Sequence, residues 1–137
     1  MLIRGGSRTI CDEARRCLHD AICVVRNMVR DNNVVGGGGS TELACSIAVA
    51  AEADKIKGVE QYAVRAFADA LEEIPLTLAE NSGYSPIEYV SEVREAQIKE
   101  GSSFIGVDAN HQGTKNMKDQ GIFESAASKK HQLELAT

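Results

Sequence analysis

A mostly α-helical fold is what this sequence predicts, and two observations carry it. Apolar residues recur at spacings of three and four along several separate segments, which is the period of a helix and not of a strand. Residues that start and stop helices bracket those segments: Thr9, Asn32 and Asn33, Asn81 to Gly83, and Ser85 with Pro86. With 137 residues the chain fits one domain with a real core, or equally part of a larger fold. Aromatic residues are only 4% and tryptophan is absent, so that core must be built from Ala, Val, Leu and Ile.

Residues 1–6 read as the tail of a strand, Leu2-Ile3-Arg4, broken at Gly5 and Gly6. Thr9 then offers an N-cap, with Asp12 and Glu13 suited to the positive end of a helix. Ile10, Ala14, Cys17, Leu18, Ala21, Val24, Val25 and Met28 form a broad apolar stripe along it. Arg26 and Arg30 favour the C-terminal end, and Asn32-Asn33 stop it. Four glycines follow, Gly36 to Gly39, and then a small-residue helix over 43–53, apolar nearly all round and so expected to be buried between others.

A third helix runs from Gly58 with the clearest period in the chain: Val59, Tyr62, Ala63, Ala66, Phe67, Ala70, Leu71 and Ile74. Pro75 must kink that helix or open the next. Asn81-Ser82-Gly83 signals a C-cap, and Ser85-Pro86-Ile87-Glu88 a capping box opening a helix to about Glu100. Phe104 to Val107 reads as a short strand, Asn110 to Gly113 as a turn, and Thr114 to Gln120 as a short helix closed by Gly121. A final helix starts at Ser125. The abrupt first and last residues suggest a piece cut from a longer protein. Such a piece is expected to expose apolar faces, chiefly of the 43–53 and 59–74 helices, and to self-associate.

Composition narrows the function classes. A formal charge of −5 disfavours nucleic-acid and anionic membrane surfaces as partners. No apolar run is long enough to span a bilayer, and the opening residues do not read as a signal peptide. Cys11, Cys17 and Cys23 step by six, roughly 240° round a helix, and cannot share a face. With no Cys-x-x-Cys pair, the four cysteines read as reduced thiols of a cytosolic protein, and no metal site is indicated.

The glycine run has two readings. One is a flexible connection between helices. The other is a backbone surface for a phosphate or a nucleobase, with Ser40 capping the helix that follows. It is not a Walker loop, because no Lys-Ser or Lys-Thr follows, and Glu42 would compete with an anion. Among the acids, Asp20 lies at the border of the first apolar stripe, where a solvated or salt-bridged carboxylate is the ordinary case. His19 points away from the stripe; Glu13 and Asp31 are too far along the helix to pair with Asp20. Glu124 reads as a ligand-facing acid or a plain pre-helix acid, and Asp108 most simply as a turn residue.

These residues also match a known family. IRGGSRTICDEARRCLHDAICVVRNMVRDNNVVGGGGSTELACSIAV, residues 3–49, resembles the C-terminal half of the group II chaperonins. EQYAVRAFADALEEIPLTLAENSGYSPIEYVSEVREAQIKE, residues 60–100, narrows the resemblance to one subunit type of the eukaryotic members. The run GVDANHQGTKNMKDQGIFES, residues 106–125, fits the same type.

The resemblance implies residues 1–30 as the returning segment of an intermediate domain. It implies 31–137 as the C-terminal part of a mostly helical equatorial domain. Asp20, in the His-Asp-Ala segment, takes the place of the family's catalytic aspartate. Gly37, Gly38 and Gly39 take that of the glycine triplet beside the nucleotide, Asp108 and Ala109 that of the segment near adenine, and Glu124 that of the acid at the ribose hydroxyls.

The implied activity is ATP hydrolysis coupled to protein folding in the cytoplasm. The cofactor is ATP, with magnesium ligands and a Gly-Asp-Gly-Thr phosphate loop in the N-terminal half. The partners are homologous subunits in a double ring, and unfolded clients held by an apical domain. Neither nucleic acid nor membrane is implied, and this stretch alone is expected to be inactive. The competing reading is a small all-α scaffold or adaptor with no nucleotide chemistry. An adaptor would be a complete domain with capped ends, and would give no reason for four glycines one helix after Asp20.

Overall fold

A computed structural model describes all 137 residues. The elements are α1 (Arg8–Arg30), β1 (Val34–Gly36), α2 (Ser40–Ala53), α3 (Glu60–Asn81), α4 (Pro86–Glu100), α5 (Met117–Gln120), β2 (Phe123–Ser125) and α6 (Ala126–Ala136). The expected helical class is what is found. The two three-residue strands pair with each other as the one sheet. The chain divides into two compact units, one of Met1–Val34 with Ser125–Thr137, the other of Val35–Glu124.

The first unit is built on α1. Its N-cap is Ser7, whose hydroxyl accepts from the Ile10 amide at 3.3 Å, and not Thr9, which lies inside the helix. The cap sits two residues earlier because Ser7 takes the extended backbone that capping needs. Residues 2–4 form no strand. No residue of α1 is buried; of its apolar stripe Ile10, Val24 and Val25 are 58%, 56% and 62% exposed while Ala14, Leu18 and Met28 are half-buried, and Val29 beside it is 83% exposed. Near its C-terminal end Asn27 donates to the Ser128 hydroxyl of α6 at 3.1 Å, and Asn33 accepts from the Ala126 amide. Ser125 caps α6 through the Ser128 amide.

The second unit holds the core. Leu43 of α2, Ala79 of α3, Val90 and Val93 of α4, and Ile105 and Val107 of the following segment are buried together. α2 packs on α3 and α3 on α4. α2 is buried on one side only, so the 43–53 segment is less enclosed than its composition suggests, while Val59, Tyr62 and Ile74 of the α3 stripe are exposed as expected. Pro75 opens no new helix. It lies inside α3 with its side chain fully buried.

Gly83 at φ +83° ends α3, with the Tyr84 amide reaching back to the Ala79 carbonyl, the bond pattern of a glycine-terminated helix. Pro86 opens α4 as expected, yet Ser85 makes no side-chain cap bond, so the capping box is absent. The expected strand at 104–107 is reduced to a single antiparallel bridge between Ile105 and Asn116. The expected helix over 114–120 shrinks to α5, capped by Asn116 and closed by Gly121 at φ +69°. The four cysteines are reduced thiols.

Candidate functional site

The glycine run is a packed turn, and the flexible-linker reading does not survive it. Gly36, Gly37 and Gly39 are buried, and Gly38 and Gly39 take φ of +63° and +72°, a region L side chains rarely adopt. The Gly37 amide donates to the Ile122 carbonyl at 3.2 Å, and the Gly38 carbonyl accepts from the Val107 amide at 2.8 Å. The turn is thereby stitched to the chain on both flanks.

Space, too, demands glycine here. A Cβ on Gly37 would stand 2.7 Å from Ile122 Cγ2, one on Gly38 2.6 Å from Met117 Sδ and 3.0 Å from the Val107 carbonyl, and one on Gly39 2.8 Å from Pro75 Cβ. Gly36 is crowded by Ser40 and Phe104. A valine at Gly38 would therefore disturb packing as well as any ligand.

Gly39, in the left-handed conformation, is the N-cap of α2, which displaces Ser40 from the expected capping role to the first helical position. Ser40 is fully buried and its hydroxyl has no hydrogen-bond partner. Its carbonyl accepts from Gln97 Nε2 at 2.9 Å, and the same amide donates to the Ile105 carbonyl at 2.7 Å. The buried Gln97 thus ties α2 to the 105–108 segment. Glu42 is buried in the first turn of α2.

Asp108 follows directly. Its carboxylate faces its own loop, accepting from the Gln112 and Gly113 amides at 3.1 and 2.7 Å and from Gln120 Nε2 at 2.8 Å. Burial pushes the carboxyl pKa up, but these donors, with the Asn110 amide, outweigh it and hold it below its ordinary value. Both oxygens are occupied within the loop, so the side chain is a turn organiser. Glu124, half-buried in β2, has its Oε1 3.6 Å from the position a Gly37 Cβ would take. Gly37, Gly38, Gly39, Asp108, Ala109 and Glu124 all belong to the second unit.

Asp20 belongs to the first unit. It is exposed on α1 and lines a cleft of about 520 Å³ with Arg15, Arg16 and His19. No group of three or more His, Cys, Asp or Glu is placed to hold a metal ion. The nucleotide fares better. A carboxylate suits a pair of ribose hydroxyls, and Glu124 stands beside a glycine turn of which only Gly38 is partly exposed.

Comparison with known proteins decides the family: the TCP-1/cpn60 chaperonin family model matches residues 1–137. The chain belongs to that family. This chaperonin chain is 42% identical over 137 residues to T-complex protein 1 subunit epsilon of Encephalitozoon cuniculi, covering all of this chain and 26% of that protein. It is 43% and 39% identical, again over its whole length, to thermosome subunits of Methanopyrus kandleri and Pyrococcus horikoshii, covering 25% of each. Among solved structures it is similar to the open-state monomer of a group II chaperonin from Methanococcoides burtonii, with a TM-score of 0.74 and 37% identity over 93% of this chain and 32% of that one.

The epsilon likeness agrees with the subunit type that residues 60–100 and 106–125 suggest. The chain spans about a quarter of the length of the curated relatives it matches.

Two contributors to the site escaped sequence reading, Gln97 and the tyrosine pair Tyr84 and Tyr89. Gln97 reads as one more polar residue on α4, and only its burial distinguishes it. The tyrosines lie on either side of the α4 start, outside any single helical period.

Proposed function

We propose that this chain supplies part of the ATP-binding and hydrolysis site of a chaperonin subunit that folds proteins. The observation that carries the reading is the placement of Glu124 beside the Gly37 backbone, with Gly38 bonded to Val107 one residue before Asp108. Those groups suit the ribose, the phosphates and the base in turn. Bound ATP would supply the phosphoryl group. Glu124 accepts from the ribose hydroxyls, the partly exposed Gly38 is where the turn meets the phosphates, and the fixed backbone of Asp108 and Ala109 gives the base a surface to lie against.

Asp20 has the chemistry to orient and deprotonate the attacking water, which suits a reaction dominated by positioning and charge stabilisation. Magnesium ligands come from outside these residues. The domain division at 30/31, the double ring of homologous subunits, unfolded clients and a cytoplasmic location belong to the same reading. It is supported by family membership and by likeness to T-complex and thermosome subunits.

The test is single-turnover hydrolysis on rings in which only this subunit carries Asp20→Ala. ATP should still bind, because Asp20 is not among the groups that hold it, while hydrolysis at that site falls by about two orders of magnitude or more. Wild-type hydrolysis there would return Asp20 to the status of a border carboxylate.

A further inference from the structure

The 108–113 loop is held by groups that no part of the nucleotide site explains. Tyr84, just past the end of α3, and Tyr89, on α4, stack with ring centroids 4.1 Å apart and planes 17° from parallel. Their hydroxyls take opposite sides of one residue. The Asp108 amide donates to Tyr89 Oη at 3.3 Å, and Tyr84 Oη donates to the Asp108 carbonyl at 3.0 Å. Both peptide groups of Asp108 are thus fixed by tyrosines, while its carboxylate is fixed by the loop amides and Gln120.

A third group leans on the pair. His111 Nδ1 lies 2.8 Å from Tyr84 Oη. A hydroxyl has one proton, and here it goes to the Asp108 carbonyl, so the contact closes with His111 carrying its proton on Nδ1. His111 holds φ of +53°, a conformation that non-glycine residues seldom keep without support. Burial raises the pKa of both tyrosines, which keeps the hydroxyls protonated across the physiological range.

We infer that Tyr84 and Tyr89 are positioning residues that fix the peptide joining Asp108 to Ala109, and through it set how tightly and how selectively this subunit takes the adenine base. The inference rests on the nucleotide reading above. Asp108 has no free carboxylate oxygen to offer the base. Its carbonyl accepts from Tyr84 and His111, and the Ala109 amide donates to the Val107 carbonyl at 3.0 Å, so the segment meets the base as a shaped backbone surface. Such a surface discriminates only if it is rigid. A preorganised surface costs no ordering on binding, whereas a loop that must be frozen loses affinity. The Gly38–Val107 bond anchors one end of this segment and the tyrosines its middle.

The experiment uses the full-length subunit with Tyr84→Phe, Tyr89→Phe and both together. Phenylalanine keeps the ring stack and removes only the hydroxyls. Amide exchange should quicken about tenfold or more across residues 108–113, and nowhere else, because Tyr89→Phe removes one hydrogen bond and Tyr84→Phe two. In turnover, KM for ATP should rise by about three- to tenfold in the double variant with kcat unchanged, and preference for ATP over GTP should narrow.

Unchanged loop exchange would overturn the clamp. Quickened exchange with unchanged KM and unchanged ATP-to-GTP preference would overturn the positioning role. If the double variant does not fold, the two single variants carry both readouts, each with part of the effect on a logarithmic scale. A wild-type subunit that binds no ATP would instead sink the nucleotide reading itself, and this inference with it.

Discussion

Replacing Gly38 by alanine separates what the glycine turn owes to its backbone from what it owes to crowding. The residue has φ of +63°, and its Cβ would stand 2.6 Å from Met117 Sδ and 3.0 Å from the Val107 carbonyl. Forcing an L-residue into the left-handed region costs about 1–2 kcal/mol. Inserting a methyl into a filled space costs about 1–3 kcal/mol more. The neighbours make the upper part of that range apply. Met117 is fully buried and has little room to swing, and the Val107 carbonyl belongs to a fixed backbone that bonds to its own flank. Gly38→Ala should therefore destabilise by about 2–5 kcal/mol.

Gly101 is the internal control. It closes α4 at φ of +59°, and a Cβ there meets nothing within 4 Å, so Gly101→Ala carries the backbone cost alone, about 1–2 kcal/mol. Urea unfolding followed by circular dichroism reads both. The Gly38 variant should unfold at a midpoint lower by about 1 M urea or more, and well below the Gly101 variant. Equal losses would refute the claim that the turn is shaped by its surroundings, and would restore the view of the run as a linker.

Three further outcomes are expected. Gln97→Leu leaves the Ser40 and Ile105 carbonyls without their shared donor and should cost about 1–3 kcal/mol in the same denaturation assay, whereas an exposed α4 site such as Glu95→Leu should cost little. Asp108 has a lowered folded-state pKa, so its contribution is present above the unfolded carboxylate value of about 4 and is lost as pH falls through the lower folded value. The stability gap between wild type and Asp108→Asn should therefore shrink below about pH 4, and a gap independent of pH would count against the loop bonds. The exposed apolar residues of α1 should make the chain self-associate, and Val25→Glu with Val29→Glu should suppress it; sedimentation showing a clean monomer of the wild type across concentrations would contradict this.

Much of the helical framework was legible because it rests on local rules. Gly83, Gly121 and Ser125 did the jobs their residue types favour, and Pro86 opened its helix. Where two local signals competed, sequence could not choose. Ser7 won over Thr9, and Gly39 over Ser40, because the surrounding backbone decided which residue was extended or left-handed. The paired strands are three residues long, too short for any period to show. Exposure was misplaced for a similar reason: the stripe on α1 announces an apolar face without saying whether anything covers it. Of the candidate site, residue type singled out the glycine run and Glu124 and read Asp108 as a turn residue, while their nucleotide roles come from the family resemblance alone. The inward carboxylate of Asp108 and its tyrosine supports depend on contacts between distant segments, which residue type does not encode.

The stitching of the glycine turn has a consequence for the order of assembly. Its hydrogen-bond partners, Val107 and Ile122, are made by the ribosome long after Gly38, and the Gln97 brace to Ser40 spans 57 residues. Synthesis therefore delivers α2 and α3 while the turn at the head of α2 still lacks its bonds to Val107 and Ile122 and the Gln97 brace. Closing so long a loop is entropically costly until the incoming contacts repay it, so the turn closes late and all at once. A nascent chain halted before Gln97 would carry α2 and α3 with the turn lacking all three of these bonds. The glycine turn is thus completed only once residues as far as Ile122 have emerged.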